Sequence, residues 1–495
     1  MPYLSTAAIQ GAMQHLATTY PALVQLVPLP EPSVEGRAIN ALKLANGSGP
    51  NRRGVLFLGG VHARELVNPD ALIALATRIC QSYTGNTDIV LGGKTYPATT
   101  VKLLVDTMDV FMLPLVNPDG RTYVQAPSGY PWWRKNRRVN AGSSCLGVDL
   151  NRNFEFLHAS GIGTSADPCI DVFKGPAAFS EPETRNVRWM LDTFTNIRGM
   201  VDVHSYAELV LHPWGDDDTQ TTDPAQNFQN PAFDGLRGNP GDGAYREYME
   251  APDRDWFISA GNAMRDAIAA VRGHSYTVEP AVLLYPTSGT SKDYSYARHI
   301  VDTGKAKVFA YTLETGQEFQ PPDAEAAQII HEVCAGLTQF CLSLLCLAES
   351  VAADALTDAE LDGLRGFRDD VLARSPVGRR YLARLVRHTP ELLDALAADE
   401  ALRGRFVGLL REAGALVSDG DRETVPEDLT GRADLFLRDL GKGRGNSALG
   451  RLLRQLRSDL KAFPERTIRQ GLQELERERP VPRAEPAGAR TPSPR

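Results

Sequence analysis

Gly54-Val55-Leu56-Phe57-Leu58-Gly59-Gly60 is an unbroken apolar run, too short for a helix and bounded by glycines. Such a run has no polar face, so it reads as a strand buried on both sides. Three more follow: Asp109-Val110-Phe111-Met112-Leu113-Pro114-Leu115-Val116, Gly199-Met200-Val201-Asp202-Val203 and Lys307-Val308-Phe309-Ala310-Tyr311-Thr312-Leu313. Helical patterns lie between them. One runs from Asn68 to Tyr83 with Pro69 in its first turn, where the missing N–H costs nothing. Another is opened by Ser180-Glu181-Pro182-Glu183, spaced as a capping box, and runs to about Thr195. Buried strands alternating with helices predict an α/β fold: one large domain with a mixed, mostly parallel central sheet flanked by helices. Before it, residues 8–27 read as a helix, Tyr20-Pro21 and a second apolar run. Gly36 to Leu44 alternates as an edge strand does, and Asn117-Pro118-Asp119-Gly120 reads as a turn.

The character changes near Glu349. From Leu356 to about Arg479 the spacing is helical throughout, with Leu361, Leu364, Phe367 and Val371 on one line and Leu392, Leu393 and Leu396 on another. The expected division is a catalytic domain over 1–348, an all-α C-terminal extension over 349–479, and a disordered Pro-, Ala- and Arg-rich tail over 480–495. The basic stretch from Lys442 to Arg479 reads as a solvated helix face, and any partner of the helical extension is unknown. A formal net charge of -8 speaks against a general nucleic-acid binder. No apolar run approaches the ~20 residues that cross a bilayer, so no membrane association is expected. Met1-Pro2-Tyr3-Leu4-Ser5 is not the start of a secretory signal pattern.

His62-Ala63-Arg64-Glu65 follows the first buried run. A His and a Glu three apart at a strand-to-helix turn can face one metal ion, although a surface turn explains the pair equally well. His204 changes this, because it also directly follows a buried strand, and ligands collect at the C-terminal ends of strands in open α/β sheets. Two His and one carboxylate are the ligand set of a catalytic zinc with its fourth position left for water. Glu314, after a third strand, supplies a carboxylate able to take a proton from that water.

Further segments stand in one order. They are Asn117-Pro118-Asp119-Gly120, Trp133-Arg134-Lys135-Asn136-Arg137 and Gly147-Val148-Asp149-Leu150-Asn151-Arg152-Asn153-Phe154, then Asp202-Val203-His204-Ser205-Tyr206, Tyr285-Pro286-Thr287-Ser288-Gly289-Thr290 and Tyr311-Thr312-Leu313-Glu314. With His62-Ala63-Arg64-Glu65 they make the chain resemble the pancreatic-type zinc carboxypeptidases, the funnelins, over roughly residues 7–348. The resemblance implies one Zn2+ ion held by His62, Glu65 and His204, with Glu314 as general base and Arg134 stabilising the oxyanion. It implies that Asn151, Arg152 and Tyr285 hold the free carboxylate of a peptide or protein C-terminus, that Arg64 lines the next subsite, and that Thr312 contacts substrate. Asp149 would accept from the second ring nitrogen of His62 and fix its tautomer.

Lys292 stands where the family places the floor of the pocket for the leaving side chain. A lysine there favours acidic C-terminal residues by charge complementarity, unless it turns outward or pairs with Asp293. Cys145 and Cys169 match positions that form a disulfide in secreted members, which leans slightly to a secreted or periplasmic location and leaves the compartment open. Cys334, Cys341 and Cys346 read as core residues. Between Tyr206 and Tyr285 the chain is longer than the resemblance leads one to expect. The extra material, with Asp216-Asp217-Asp218 and the Pro/Gly-rich stretch from Asn230 to Gly243, either walls the mouth of the site or decorates it. His158, His212, His274 and His299 receive no role, and His331-Glu332 lacks the second His of a zincin motif, since Ala335 stands there. Two other functions fit: a zinc peptidase of cell-wall peptides, and an inactive protein that only binds C-termini.

Overall fold

A computed structural model describes residues 3–49, 52–218, 220–241, 243–345, 351, 355–372, 374–418 and 424–478. The chain divides into two compact units, Met1–Glu250 with Gly261–Leu344, and Ala251–Ala260 with Leu345–Arg495.

The first unit is built on an eight-stranded sheet: β1 (Val24–Pro28), β2 (Asn40–Leu44), β3 (Arg53–Leu58), β4 (Met108–Leu113), β5 (Ile197–His204), β6 (Leu209–His212), β7 (Thr277–Pro280) and β8 (Phe309–Glu314). Their order is β1-β2-β4-β3-β5-β8-β6-β7. The pairs β4–β3, β3–β5, β5–β8 and β6–β7 are parallel, whereas β1–β2, β2–β4 and β8–β6 are antiparallel. This is the mixed, mostly parallel sheet expected from the buried runs. Val55, Leu56, Phe57 and Leu58 of β3 are fully buried, as are Val110, Phe111, Met112 and Leu113 of β4. Each such side chain contributes about 1.5–3 kcal/mol relative to exposure.

Register decides where chemistry sits. Leu58 of β3 lies opposite Asp202 of β5, and His204 of β5 lies opposite Glu314 of β8. Three neighbouring strands therefore end at one level. Gly60 then turns the chain with φ +62, and a Cβ there would come within 2.8 Å of Leu115 and 3.0 Å of Pro69. Only glycine fits that turn, which delivers His62 and leads into helix α1 (Val67–Gly85).

The structure corrects three local expectations. Gly36 to Leu44 yields β2, which is an inner strand; the edge is β1, formed by the apolar run after Tyr20-Pro21. Asn117-Pro118-Asp119-Gly120 opens helix α2 (Pro118–Gln125), with Asn117 Oδ1 accepting from Gly120 N at 2.9 Å and Pro118 in the first turn. The sequence Ser180-Glu181-Pro182-Glu183 precedes helix α3 (Pro182–Thr193) but forms no capping box. Ser180 donates to Glu181, and Asn153 Oδ1 takes the Glu181 N–H and the Thr184 hydroxyl instead.

The second unit is helical, as its spacing predicts: Asp358–Gly366, Pro376–Ala398, Glu400–Ser418, Glu427–Leu440, Ala448–Asp459 and Ile468–Glu478. The line of Leu361, Leu364, Phe367 and Val371 splits between two clusters. Leu361 and Leu364 pack with Leu356, Val407 and Leu410, while Phe367 and Val371 pack with Val377, Leu429 and Leu472. Residues 480–495 and Cys346 lie outside the described residues, whereas Cys334 and Cys341 are buried. No described helix is long and apolar enough to cross a membrane.

Candidate active site

His62, in the turn after β3, Glu65, just before α1, and His204, the last residue of β5, are 3, 2 and 1% exposed. Each offers a ligand atom, and these atoms lie within 4.8 Å of one another. His62 Nδ1 is 2.7 Å from Glu65 Oε1, and His204 Nδ1 is 3.1 Å from Glu65 Oε2. Burying an unbalanced carboxylate is costly, so this convergence calls for a cation. The outer nitrogens support that reading. His62 Nε2 is 3.1 Å from Asp149 Oδ1, and His204 Nε2 is 3.0 Å from Asp202 Oδ2. A carboxylate behind each ring turns Nδ1 toward the shared centre. The donor set fits one zinc ion.

Asp149 ties several residues together. Besides His62 it accepts from Arg134 Nε at 2.9 Å and from Asn151 N at 3.0 Å. Burial raises its carboxyl, but Arg134 and His62 outweigh that and hold it well below the usual carboxylate range. Asp202 does the same work for His204 and accepts from Ser291 Oγ at 2.5 Å. The sequence reading gave Asp202 no role, although the signal was present. A residue two positions before a strand-end His points to the same face of the sheet. It also gave none to Ser205, whose N–H donates to Glu65 Oε2 at 3.1 Å.

Glu314 is half-buried, and among the described residues no side chain hydrogen-bonds its carboxylate. Burial pushes its carboxyl up to about 7, with Glu65 and Asp202 adding to the rise and His204 and Arg134 opposing it. Arg134 is buried and fixed by Asp149, while its carbonyl accepts from Ala63 N at 3.0 Å.

Arg152 donates through Nε to Gly163 O at 3.1 Å and through Nη1 to Asn151 O at 2.7 Å. Its Nη2 is buried with no hydrogen-bond partner. The exposed ring of Tyr285 lies 5.7 Å from this guanidinium. Asn151 Oδ1 accepts from Ser291 N at 2.9 Å, so that amide is partly engaged. Thr312 is buried in β8 opposite Asp202. Arg64 Nη1 donates to Trp132 O at 3.3 Å.

Lys292 is almost fully buried, and its ammonium is bound to Asp293. Of the orientations left open by the sequence, pairing with Asp293 is the one present. Next to it stands Asp216, also buried, with neither oxygen in a well-formed hydrogen bond; the group acting on it most strongly is another acid, Glu247. The long segment after Tyr206 runs close by. Gly238 N donates to Asp216 O at 2.8 Å, and Gly238 abuts Ile162, next to the Gly163 carbonyl that holds Arg152. Cys145 and Cys169 form a disulfide with Cα atoms 5.0 Å apart.

Two His, two Glu and two buried arginines gathered at the C-terminal ends of parallel strands make this a metallopeptidase-like α/β protein. A profile of the zinc carboxypeptidase family, peptidase M14, matches residues 9–336, and the chain belongs to that family. It is 31% identical over 316 residues to carboxypeptidase A4 of Mus musculus, covering 63% of each chain. To carboxypeptidase B of Astacus astacus it is 31% identical over 309 residues, covering 62% of this chain and 84% of the relative. The structure of carboxypeptidase A from Helicoverpa armigera superposes with a TM-score of 0.53 at 24% identity, covering 71% of this chain and 74% of that one. That likeness shows the fold. The chain thus spans 63% of the length of the mouse relative.

Proposed function

We propose that the protein is a zinc-dependent metallocarboxypeptidase that releases the C-terminal residue of peptides or proteins. The observation that carries this is the buried convergence of His62, Glu65 and His204, with Glu314 in register beside His204. When bound, zinc polarises the scissile carbonyl and brings water close to losing a proton at neutral pH. Glu314 takes that proton and passes it to the leaving amine, a role suited to a carboxyl poised near 7. Arg134, held rigid by Asp149, faces the oxygen on which negative charge grows.

Arg152, with its unpartnered Nη2, receives the substrate's terminal carboxylate together with Tyr285 and Asn151. A guanidinium that already awaits an anion explains exopeptidase action, because an internal peptide bond offers none. An inactive C-terminus-binding protein has no use for Glu314. Thr312 and Arg64 complete the substrate contacts.

Zinc analysis together with hydrolysis of a panel of blocked dipeptides, using Glu314→Gln as control, tests the proposal. Bound zinc with activity lost in the variant is expected; activity retained in Glu314→Gln contradicts the mechanism. Preference for acidic C-terminal residues is the finer proposal, and it rests on Lys292. An incoming carboxylate must compete there with Asp293, so the preference is modest. If C-terminal Glu is released more slowly than both Phe and Arg from otherwise identical peptides, Lys292 does not set it. The Cys145–Cys169 disulfide supports export to an oxidising compartment, which secretion of the tagged chain from its native host checks directly.

A further inference from the structure

Ser291 is fully buried and opens the helix Ser291–Val301. The first N–H groups of a helix have no partner within it, and the cap Thr290 takes that of Asp293. The Ser291 N–H turns instead to Asn151 Oδ1, at 2.9 Å. Its hydroxyl donates to Asp202 Oδ2 at 2.5 Å. The approach is close: Gly289 has φ +67, and a Cβ there would come within 2.2 Å of Arg152 O. One residue therefore bonds both the carboxylate behind His204 and the amide assigned above to the substrate's terminal carboxylate.

Both bonds restrict their partners. Asp202 Oδ1 has no hydrogen-bond partner among the described residues, so this carboxylate is held through Oδ2, between His204 Nε2 at 3.0 Å and the Ser291 hydroxyl. Without that hydroxyl, the imidazole alone would orient the group that orients it. An asparagine amide fits its site in either of two orientations, and only its NH2 end suits an anion. A main-chain N–H is a fixed donor, so Ser291 selects Oδ1 and leaves Nδ2 on the other side. Nδ2 lies 3.4 Å from His204 Nε2. That nitrogen carries the proton it shares with Asp202 when Nδ1 is turned to a metal, so it does not accept from Asn151. The Nδ2 hydrogens are then available to a carboxylate. Asn151 N in turn donates to Asp149 Oδ1, the carboxylate behind His62. A continuous path thus runs from His62 through Asp149, Asn151, Ser291 and Asp202 to His204.

We propose that Ser291 is a positioning residue that couples the metal centre to the terminal-carboxylate subsite, its hydroxyl fixing Asp202 and its N–H fixing the Asn151 amide. The inference rests on the carboxypeptidase reading and adds to it a residue that acts through others. Loosening Asp202 releases the start of the helix, and with it the donor that orients Asn151. One substitution at Ser291 therefore reaches two binding events that share no ligand.

The test uses the full chain with and without zinc. Zinc affinity is read by competition with a chelator. Binding of a blocked dipeptide to the metal-free protein is read by calorimetry, once with a free terminal carboxylate and once with a terminal amide. Ser291→Ala should weaken zinc about tenfold. It should weaken the carboxylate dipeptide about three- to tenfold, the scale of one hydrogen bond, and leave the amide dipeptide unchanged. With zinc in excess, KM should rise by a similar factor and kcat should change less. Ser291→Thr keeps the hydroxyl and the N–H and should restore both affinities. If Ser291→Ala does not fold, Asp202→Ala puts the same question, and it too should weaken the carboxylate dipeptide. Unchanged affinity for that dipeptide in a folded variant overturns the coupling and leaves the carboxypeptidase reading standing. A lower melting temperature with both affinities intact makes Ser291 merely structural and overturns it as well. If the unmodified protein binds the carboxylate and amide dipeptides alike, the carboxypeptidase reading fails instead.

Discussion

The ligand cluster and the Lys292 region are both buried and both charged, yet they are built differently. Around His62, Glu65 and His204 nearly every charged atom has a partner of opposite sign or a donor. Asp149 serves His62, Arg134 and Asn151, while Asp202 serves His204 and Ser291. Around Lys292, Asp293 accepts from the Thr290 hydroxyl and Glu247 from Phe228 N, Tyr248 N and the Tyr245 hydroxyl, but Asp216 keeps both oxygens outside a well-formed hydrogen bond. Asp293 takes the lysine, and Asp216 has another acid, Glu247, as its strongest neighbour. The lesson is one of purpose. A catalytic cluster must hold atoms within a few tenths of an ångström, so its buried charges are cross-braced. If Lys292 receives a substrate side chain, as proposed, that region needs less bracing than the cluster does.

Four substitutions sharpen or break that comparison. Glu314→Gln removes the proton acceptor and should lower kcat by about 10²–10⁴, with folding and zinc content unchanged. Arg134→Ala should cost about 10²–10³ in kcat, read in the same assay. Asp149→Asn and Asp202→Asn leave the ligands in place but loosen their orientation. Each should weaken zinc affinity about 10–100-fold in a competition titration with a chelator. If either has no effect, the bracing argument fails for that histidine.

The smallest effect is expected at the unmatched end. Burial raises the Asp216 carboxyl well above its ordinary value, and Glu247, Asp293 and Asp217 push it further. The sign follows from linkage. In the unfolded chain an Asp ionises near pH 3.9, whereas folded Asp216 keeps its proton, so above that pH the unfolded state binds fewer protons. This group's contribution to stability is therefore full below about pH 3.9 and is lost as pH rises toward the folded value. Asp216→Asn should accordingly gain thermal stability over the unmodified protein as pH goes from about 5 to 8, read as a melting-temperature difference that widens with pH. A melting-temperature difference that stays flat over that range would mean Asp216 is matched by a charge after all.

Much of this was legible in the residues. The four apolar runs became β3, β4, β5 and β8, because an unbroken run with no polar face has one way to hide both sides. The candidate ligand cluster was legible because His204 ends one strand and His62 and Glu65 lie in the turn that follows another. Asp202 was missed although it shares a face with His204, since a carboxylate inside a buried strand reads as a blemish until its partner is known. The first helical turn at Asn117 was read as a turn because Asn-Pro-Asp-Gly suits both; the Asn117 bond to Gly120 decides for the helix. The orientation of Lys292 was left open because its neighbour Asp293 and a substrate carboxylate are equally good partners on charge alone. The bracing of Arg64 by Phe319, Trp132 and Asp171 joins segments far apart along the chain and has no local signature.

The central claim is that the catalytic cluster acts on a free C-terminus. The direct measurement is mass spectrometry of products from one peptide offered to the zinc-loaded protein in two forms, with a free terminal carboxylate and with a terminal amide. Release of single residues from the carboxylate form, with the amide form at least about 100-fold slower, is the expected result. Cleavage of both at similar rates, or cleavage at internal bonds, would contradict it.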